Sequence, residues 1–283
     1  MAIEGGAPRN WMISGVSGGL GKALAVRALQ EGGQVIGTVR RSDQGAQFEG
    51  LAPGRAIALE FDVTDLDAIT KKVPPAIEHV GGIDVLVNNA GYSLIGAVED
   101  TSIDEARKIM DTNFFGALQM IQTVLPHFRE RRRGHIVNIA SVASTIGFPW
   151  SAMYSASKSA LSALTESLAQ EVADFGVSVS CVEPGGIRTN FAGSGLALVG
   201  QISPVYRDKV YAVQRQYAAA ATRMKNDPNK VAAVLHSVVE LTEPPVRVAI
   251  GEDAHEMIER ALNGRLEGYC SSRDFTVGTQ FDD

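Results

Sequence analysis

Two cysteines in 283 residues are too few for a disulfide framework. Cys181 lies in an apolar, strand-like run and Cys270 in a polar stretch near the C-terminus, so both are expected as reduced thiols. A run of about 18 apolar residues is also missing, which leaves no candidate for a membrane-spanning helix. The opening "MAIEGGAPRN" lacks the basic and then apolar pattern of a secretory leader. The expected location is therefore cytoplasmic, with no membrane partner. There is no basic excess either: 26 Lys and Arg stand against 32 Asp and Glu, a net charge of −6, which argues against a nucleic-acid partner. The basic run "RERRRGH" at 129–135 sits between a helical pattern and an apolar run and reads as a solvated helix end. The five histidines show no ligand spacing. "HEMIE" at 255–259 has Glu259 where a zinc-protease helix needs its second histidine, so no metal site is expected.

What the chain does have is alternation. Apolar, β-branched runs at 11–14, 34–39, 56–61, 83–89, 135–140, 177–182 and 246–250 are separated by segments mostly long enough for a crossover helix. The runs are continuous rather than alternating, as in strands buried on both faces. The expected fold is α/β, a doubly wound, mostly parallel sheet with helices on both faces, formed by residues 1–283 as a single domain. Ser102 with Glu105 forms a capping-box signature. Pro74 and Pro75 are expected to break or kink the helix that follows Asp65. The stretch 186–229 interrupts the rhythm and reads as a mobile helical lid.

Two local patterns carry chemistry. After the first run comes "SGVSGGLGKALAVRAL", where Gly15, Gly19 and Gly21 precede a helix, the arrangement that lets backbone amides approach a pyrophosphate. Its spacing, GxxxGxG, differs from the commonest dinucleotide fingerprint, and a tight turn without a ligand would fit the same residues. In "SAMYSASKSALSALTESLAQEV", Leu161, Leu164, Leu168 and Val172 mark one packed helix face while Tyr154 and Lys158 share a neighbouring stripe. A phenol with a pKa near 10 needs a nearby cation to serve as a proton relay at neutral pH.

"SGVSGGLG" resembles the TGxxxGIG loop of the short-chain dehydrogenase/reductase family, with Ser14 for threonine and Leu20 for isoleucine. "NNAG" at 88–91, "YSASK" at 154–158 and "PGGIRT" at 184–189 resemble three further motifs of that family in the same order, over about residues 10–190. The resemblance implies a Rossmann-type fold and a reductase that passes hydride between NADP(H) and a ketone or aldehyde, or oxidises the corresponding alcohol. It implies Tyr154 as general acid, Lys158 lowering its pKa and binding the nicotinamide ribose, Ser141 orienting the substrate oxygen, and Asn113 completing a water-linked relay. It also implies that Gly15, Ser17, Gly18, Gly19, Leu20 and Gly21 hold the pyrophosphate and that Asp62 and Val63 border the adenine. Asn89, Ala90 and Gly91 would border the adenosine ribose, and Pro184, Gly185, Ile187 and Thr189 the nicotinamide amide.

At the end of the second run, Val39 stands where NAD-preferring relatives carry aspartate, and Arg40 and Arg41 follow. Guanidinium groups suit the 2′-phosphate of NADP, although a solvated charge pair would look the same. Tyr206, Tyr211 and Tyr217 suggest a largely apolar, partly aromatic substrate cavity, or simply lid packing. A homodimer or homotetramer is expected from the resemblance. A nucleotide-sensing binding protein on the same fold is the rival reading, against which the filled Asn-Ser-Tyr-Lys set argues.

Overall fold

The computed structural model describes residues 8–281. In chain order the first half runs β1 (Asn10–Ile13), α1 (Gly19–Gln30), β2 (Gln34–Val39), α2 (Ser42–Glu49), β3 (Ala56–Glu60), α3 (Leu66–His79), β4 (Val85–Asn88), β5 (Ser93–Ile95) and α4 (Ile103–Met110). A π-helical turn, Asp111–Phe115, joins α4 to α5 (Gly116–Arg131), followed by β6 (Gly134–Ile139) and α6 (Ala152–Val172). The remainder is β7 (Val177–Pro184), α7 (Phe191–Ser194), β8 (Leu196–Leu198), α8 (Pro204–Ala220), α9 (Pro228–Val239), β9 (Arg247–Ile250) and α10 (Glu252–Thr276).

All seven apolar runs become strands of one parallel sheet in the order β3-β2-β1-β4-β6-β7-β9. Successive side chains of a strand point to opposite faces, and both faces are covered here. Trp11 and Ile13 enter one core with Leu24 of α1 and Leu235 of α9. Met12 enters the other, with Val73 of α3, Val124 of α5 and Leu168 of α6. That double burial is why the runs are continuously apolar. The strand order reverses between β1 and β4, so the chain leaves these neighbouring strands toward opposite sides and opens a crevice at their carboxyl ends.

Three local expectations meet different outcomes. Ser102 and Glu105 form the full capping box at the start of α4. Pro74 and Pro75 do not break their helix: α3 runs through both to His79. Ile69, Val73 and Ile77 anchor one face in the core while both prolines lie on the exposed face, so carbonyls that lose a helical partner can turn to water. The stretch 186–229 is not wholly helical, because β8 within it pairs in parallel with β5 as a separate two-stranded ribbon. Side chains of residues 99–105 tie this stretch further. Asp100 accepts from the backbone and hydroxyl of Ser203, Glu105 from Gly200 N, and Glu99 from the Tyr206 hydroxyl.

Candidate functional site

The crevice between β1 and β4 is laced by short backbone bonds. Ser14 N donates to Val87 O at 3.0 Å, carrying the ladder one residue past β1. Ser14 Oγ then accepts from Asn89 N and Ala90 N, both at 2.9 Å, and Asn89 Nδ2 donates to Ser14 O at 2.8 Å and Gly15 O at 3.2 Å. A hydroxyl is what this position needs, which explains why serine serves in place of threonine. Gly15 N donates to Thr38 Oγ1 at 3.0 Å, fastening the loop to β2 as well. A Cβ on Gly21 would stand 2.3 Å from Gly15 O and 2.5 Å from Asn89 Nδ2, so only glycine lets α1 begin this close to the strands. Ser17, Gly18 and Gly19 are exposed while Leu20 is buried beneath them. α1 starts at Gly19; Gly18 at its N-cap gives no side-chain cap and the first turn has no acidic residue, leaving first-turn amides directed at the crevice mouth. A Cβ on Gly18 would meet nothing within 4 Å. These residues fit a diphosphate group: free amides, close backbone and open space coincide.

At the end of β2, the expected arginine pair divides. Arg41 is held by Asp43 through Nε at 2.8 Å and Nη2 at 2.7 Å, a bidentate pair that raises the arginine pKa and lowers that of the aspartate. Among the described residues, Arg40 has no such partner. It borders an opening of about 520 Å³ that Glu60, Phe61, Asp65 and Lys72 also line. Asp62 folds back to accept from Thr64 N and Thr64 Oγ1, and buried Val63 presses its carbonyl against Gly116 at the start of α5.

The four proposed catalytic residues come from three elements and meet at the same end of the sheet. Ser141 follows β6 and directs Oγ to Ala143 N at 3.1 Å. Asn113 sits in the π-helical turn, 1% exposed; its Oδ1 accepts from Tyr92 N at 3.0 Å and its Nδ2 donates to Tyr92 O and to Ser157 Oγ, both at 2.9 Å. The π turn locally resets the helix phase, which brings Asn113 onto the buried side. Tyr154 and Lys158 occupy the first turns of α6. A Cβ on Gly91 would lie 3.0 Å from Asn113 Oδ1 and 3.3 Å from Lys158 Nζ, so the "NNAG" loop, Asn113 and Lys158 close on one point.

Their electrostatics differ from expectation. Lys158 Nζ donates to Ile139 O at 2.8 Å and stands 6.0 Å from the centre of the Tyr154 ring. Burial pushes its pKa down to about 8. Burial pushes the Tyr154 phenol up to about 12, against a smaller opposing pull from Ser141, and Lys158 is not among the groups that lower it. The amine is turned to a backbone carbonyl rather than to the phenol. The arrangement therefore holds a protonated phenol at neutral pH.

The "PGGIRT" loop is fixed by residues that sequence reading passed over. Gly186 N donates to Asp253 Oδ2 at 2.8 Å, and Asn226 Nδ2 bridges Gly186 O at 3.0 Å and Asp253 Oδ1 at 2.9 Å. A Cβ on Gly185 would collide with the Asp253 carboxylate at 2.3 Å, and Ile187 pairs with Asn226 as an isolated bridge. A Cβ on Gly19 would lie 3.7 Å from Thr189, so the two loops face each other across the crevice. Glu183 was missed too. It is 2% exposed at the end of β7 and accepts from Ser144 Oγ at 2.5 Å, Thr145 Oγ1 at 2.9 Å and Arg247 Nη1 at 3.0 Å, pinning the turn that follows Ser141. The one charged residue in an otherwise uncharged strand was the available signal, since a buried carboxylate requires partners. Of the three lid tyrosines, Tyr217 is half-buried, Tyr206 packs on Trp150 at 5.7 Å, and Tyr211 is exposed. Phe191 of α7 lies 6.2 Å from the Tyr154 ring.

Residues 9–196 match the family model for short chain dehydrogenases. The chain belongs to that family. It is 35% identical over 252 residues to the retinol dehydrogenase 8 of Homo sapiens, covering 85% of this chain and 81% of the relative. It is 33% identical over 246 residues to a 3-ketodihydrosphingosine reductase of Bacteroides thetaiotaomicron, covering 86% and 88%. A short-chain dehydrogenase structure from Streptomyces avermitilis superposes with a TM-score of 0.89 at 36% identity, covering 97% of this chain and all of that one. Among the described residues, no helix is long and apolar enough to cross a membrane.

Proposed function

We propose that this short-chain dehydrogenase is an NADP(H)-dependent oxidoreductase that interconverts a carbonyl compound and its alcohol. The observation that carries this reading is the convergence of Gly91, Asn113 and Lys158 at the switch point, with Tyr154 one helical turn before the lysine. Relatives whose names state the oxidation of an alcohol and the reduction of a ketone support the CH–OH chemistry. When bound, the nicotinamide supplies or receives the hydride.

Gly15 to Gly21 would receive the diphosphate at the amides of α1, Asn89 to Gly91 the adenosine ribose, and Asp62 and Val63 the adenine. Pro184 to Thr189, braced by Asp253 and Asn226, would border the nicotinamide amide. Tyr154 carries the proton. Its hydroxyl, kept protonated by burial, donates to the oxygen that becomes an alcohol, and Ser141 orients that oxygen. Lys158, cationic below about 8 and directed at the Ile139 carbonyl, would hold the nicotinamide ribose when the cofactor is bound, and its charge would steady the phenolate as the proton leaves. Asn113 holds the Tyr92 backbone beside them and connects α6 through Ser157. The lid around 186–229 closes the substrate side.

The NADP preference rests on Arg40 alone, with Arg41 committed to Asp43, and on the absence of a carboxylate at Val39. One charge-assisted bond is worth about 1.5–3 kcal/mol, so NADPH should exceed NADH by about ten- to a hundredfold in kcat/KM. Steady-state rates with both cofactors, on wild type and on Val39→Asp with Arg40→Ser, test it. Inversion in the double mutant is expected. Equal use of NADH by the wild type withdraws the preference.

A further inference from the structure

Beyond the crevice, the last helix leaves a face without a partner. α10 is anchored at its root: Asp253 accepts from Gly186 N at 2.8 Å, Ala254 is fully buried, and Arg265 Nη2 donates to the carbonyl of Thr145 in the turn after Ser141. From Leu262 to Phe281 every residue except Ser272 is exposed. Residues 262–276 alone extend about 22 Å at the rise of an α-helix. Gly264 and Gly268 lie within them, and a Cβ on either would meet nothing within 4 Å. A short helix that carries two glycines is marginal by itself in water, so this one gains most from a surface laid along it.

Its exposed side chains form a seam. Glu259, Leu262, Leu266, Tyr269 and Arg273 follow one another at spacings of three, four, three and four, the repeat by which one helix meets another along its length. All five are exposed, the three apolar ones at 51%, 61% and 76%. The apolar stretch is bounded by a carboxylate at one end and a guanidinium at the other. Among the described residues, neither Glu259 nor Arg273 has an ion pair within the chain.

The order of these charges names the partner. A two-fold axis at Leu266 lays a second copy of α10 antiparallel on the first, sets Leu262 against the Tyr269 of the second copy and Glu259 against its Arg273, and repeats both contacts by symmetry. A parallel pair would place carboxylate on carboxylate and guanidinium on guanidinium. A lipid surface fits less well, because α10 carries six carboxylates and three arginines, an excess that anionic headgroups repel. We propose that α10 is an interface between two copies of this chain, paired antiparallel along this seam with Leu266 at the two-fold axis. The anchored root presents the seam in a fixed direction, and the pairing is independent of the reaction catalysed.

Sedimentation velocity of the full chain between about 1 and 100 μM tests it, since a seam of this size makes a weak, concentration-dependent pair. Leu266→Asp sets two carboxylates face to face on the axis and should halve the mass of the assembly, whatever other faces also join. Arg273→Glu and Glu259→Arg should each weaken pairing by about tenfold, because each turns two attractive contacts into repulsive ones, and the double reversal should restore it. Restoration separates a lost contact from a damaged helix. A wild type that stays monomeric at about 100 μM overturns the proposal. So does an assembly whose mass Leu266→Asp leaves unchanged, which puts the contact on another face, and so does a double reversal no better than either single change. Binding of the wild type but not of Leu266→Asp to phosphatidylcholine–phosphatidylserine vesicles, with no change in mass, would give the seam to a lipid surface instead.

Discussion

The two sides of the crevice are built differently. On the side of β1 and β4, Ser14, Gly15, Asn89 and Thr38 exchange short bonds that involve backbone atoms, and glycine brings α1 within contact of the strands. On the side of 186–229, beyond the clasp of Asp253 and Asn226 on Gly186, ties come from solvent-facing side chains such as Glu99 and Glu105, from aromatic contacts, and from a three-residue ribbon. A ligand of constant shape is served by a mould that cannot relax. A variable one is served by a cover whose side chains can be exchanged without disturbing the sheet.

Replacing Tyr154 with Phe should separate the sides most sharply, lowering kcat/KM by about a hundred- to ten-thousandfold, the range of a lost general acid. Gly21→Ala attacks the mould. Its new Cβ meets a backbone oxygen rather than a movable side chain, so the fold should lose about 2–3 kcal/mol and cofactor affinity should fall with it, read by thermal melting and titration. Arg247→Leu leaves the Glu183 carboxylate buried with hydroxyl donors only. A loss of about 2 kcal/mol is expected, with a larger fall in kcat than in KM as the Ser141 turn loosens.

The pH profile comes next in size. A phenol raised to about 12 keeps its proton throughout the neutral range, so reduction should stay level until Lys158 loses its charge and then fall above about 8. Oxidation needs the phenolate and should rise across the same alkaline range. A reduction rate that climbs from pH 7 to 10 would contradict both assignments. The smallest effect belongs to the cover: Tyr206→Phe loses one exposed bond to Glu99, and thermal melting and cofactor affinity should both stay almost unmoved.

The sheet and the mould were largely legible because their requirements are local. Continuous apolar runs mark strands covered on both faces, and a glycine whose Cβ would strike backbone must be glycine. Long-range pairings were not. Nothing in "GED" or "KNDP" says that Asp253 and Asn226 meet the "PGG" loop, because that meeting depends on how β9 docks beside β7. The π turn at Asn113 and the β5–β8 ribbon are likewise products of packing, not of propensity. Pro74 and Pro75 misled because proline's penalty depends on whether the orphaned carbonyls face water. Arg40 and Arg41 looked equivalent in sequence; only Asp43, in the first turn of α2, distinguishes them.

The central claim is that the mould binds and Tyr154 moves the proton, and cofactor affinity of the Tyr154→Phe variant tests it directly. Fluorescence titration with NADPH should give a Kd within about twofold of wild type while turnover is lost. A Kd weakened tenfold or more, or turnover that persists near the wild-type rate, would contradict that division of labour.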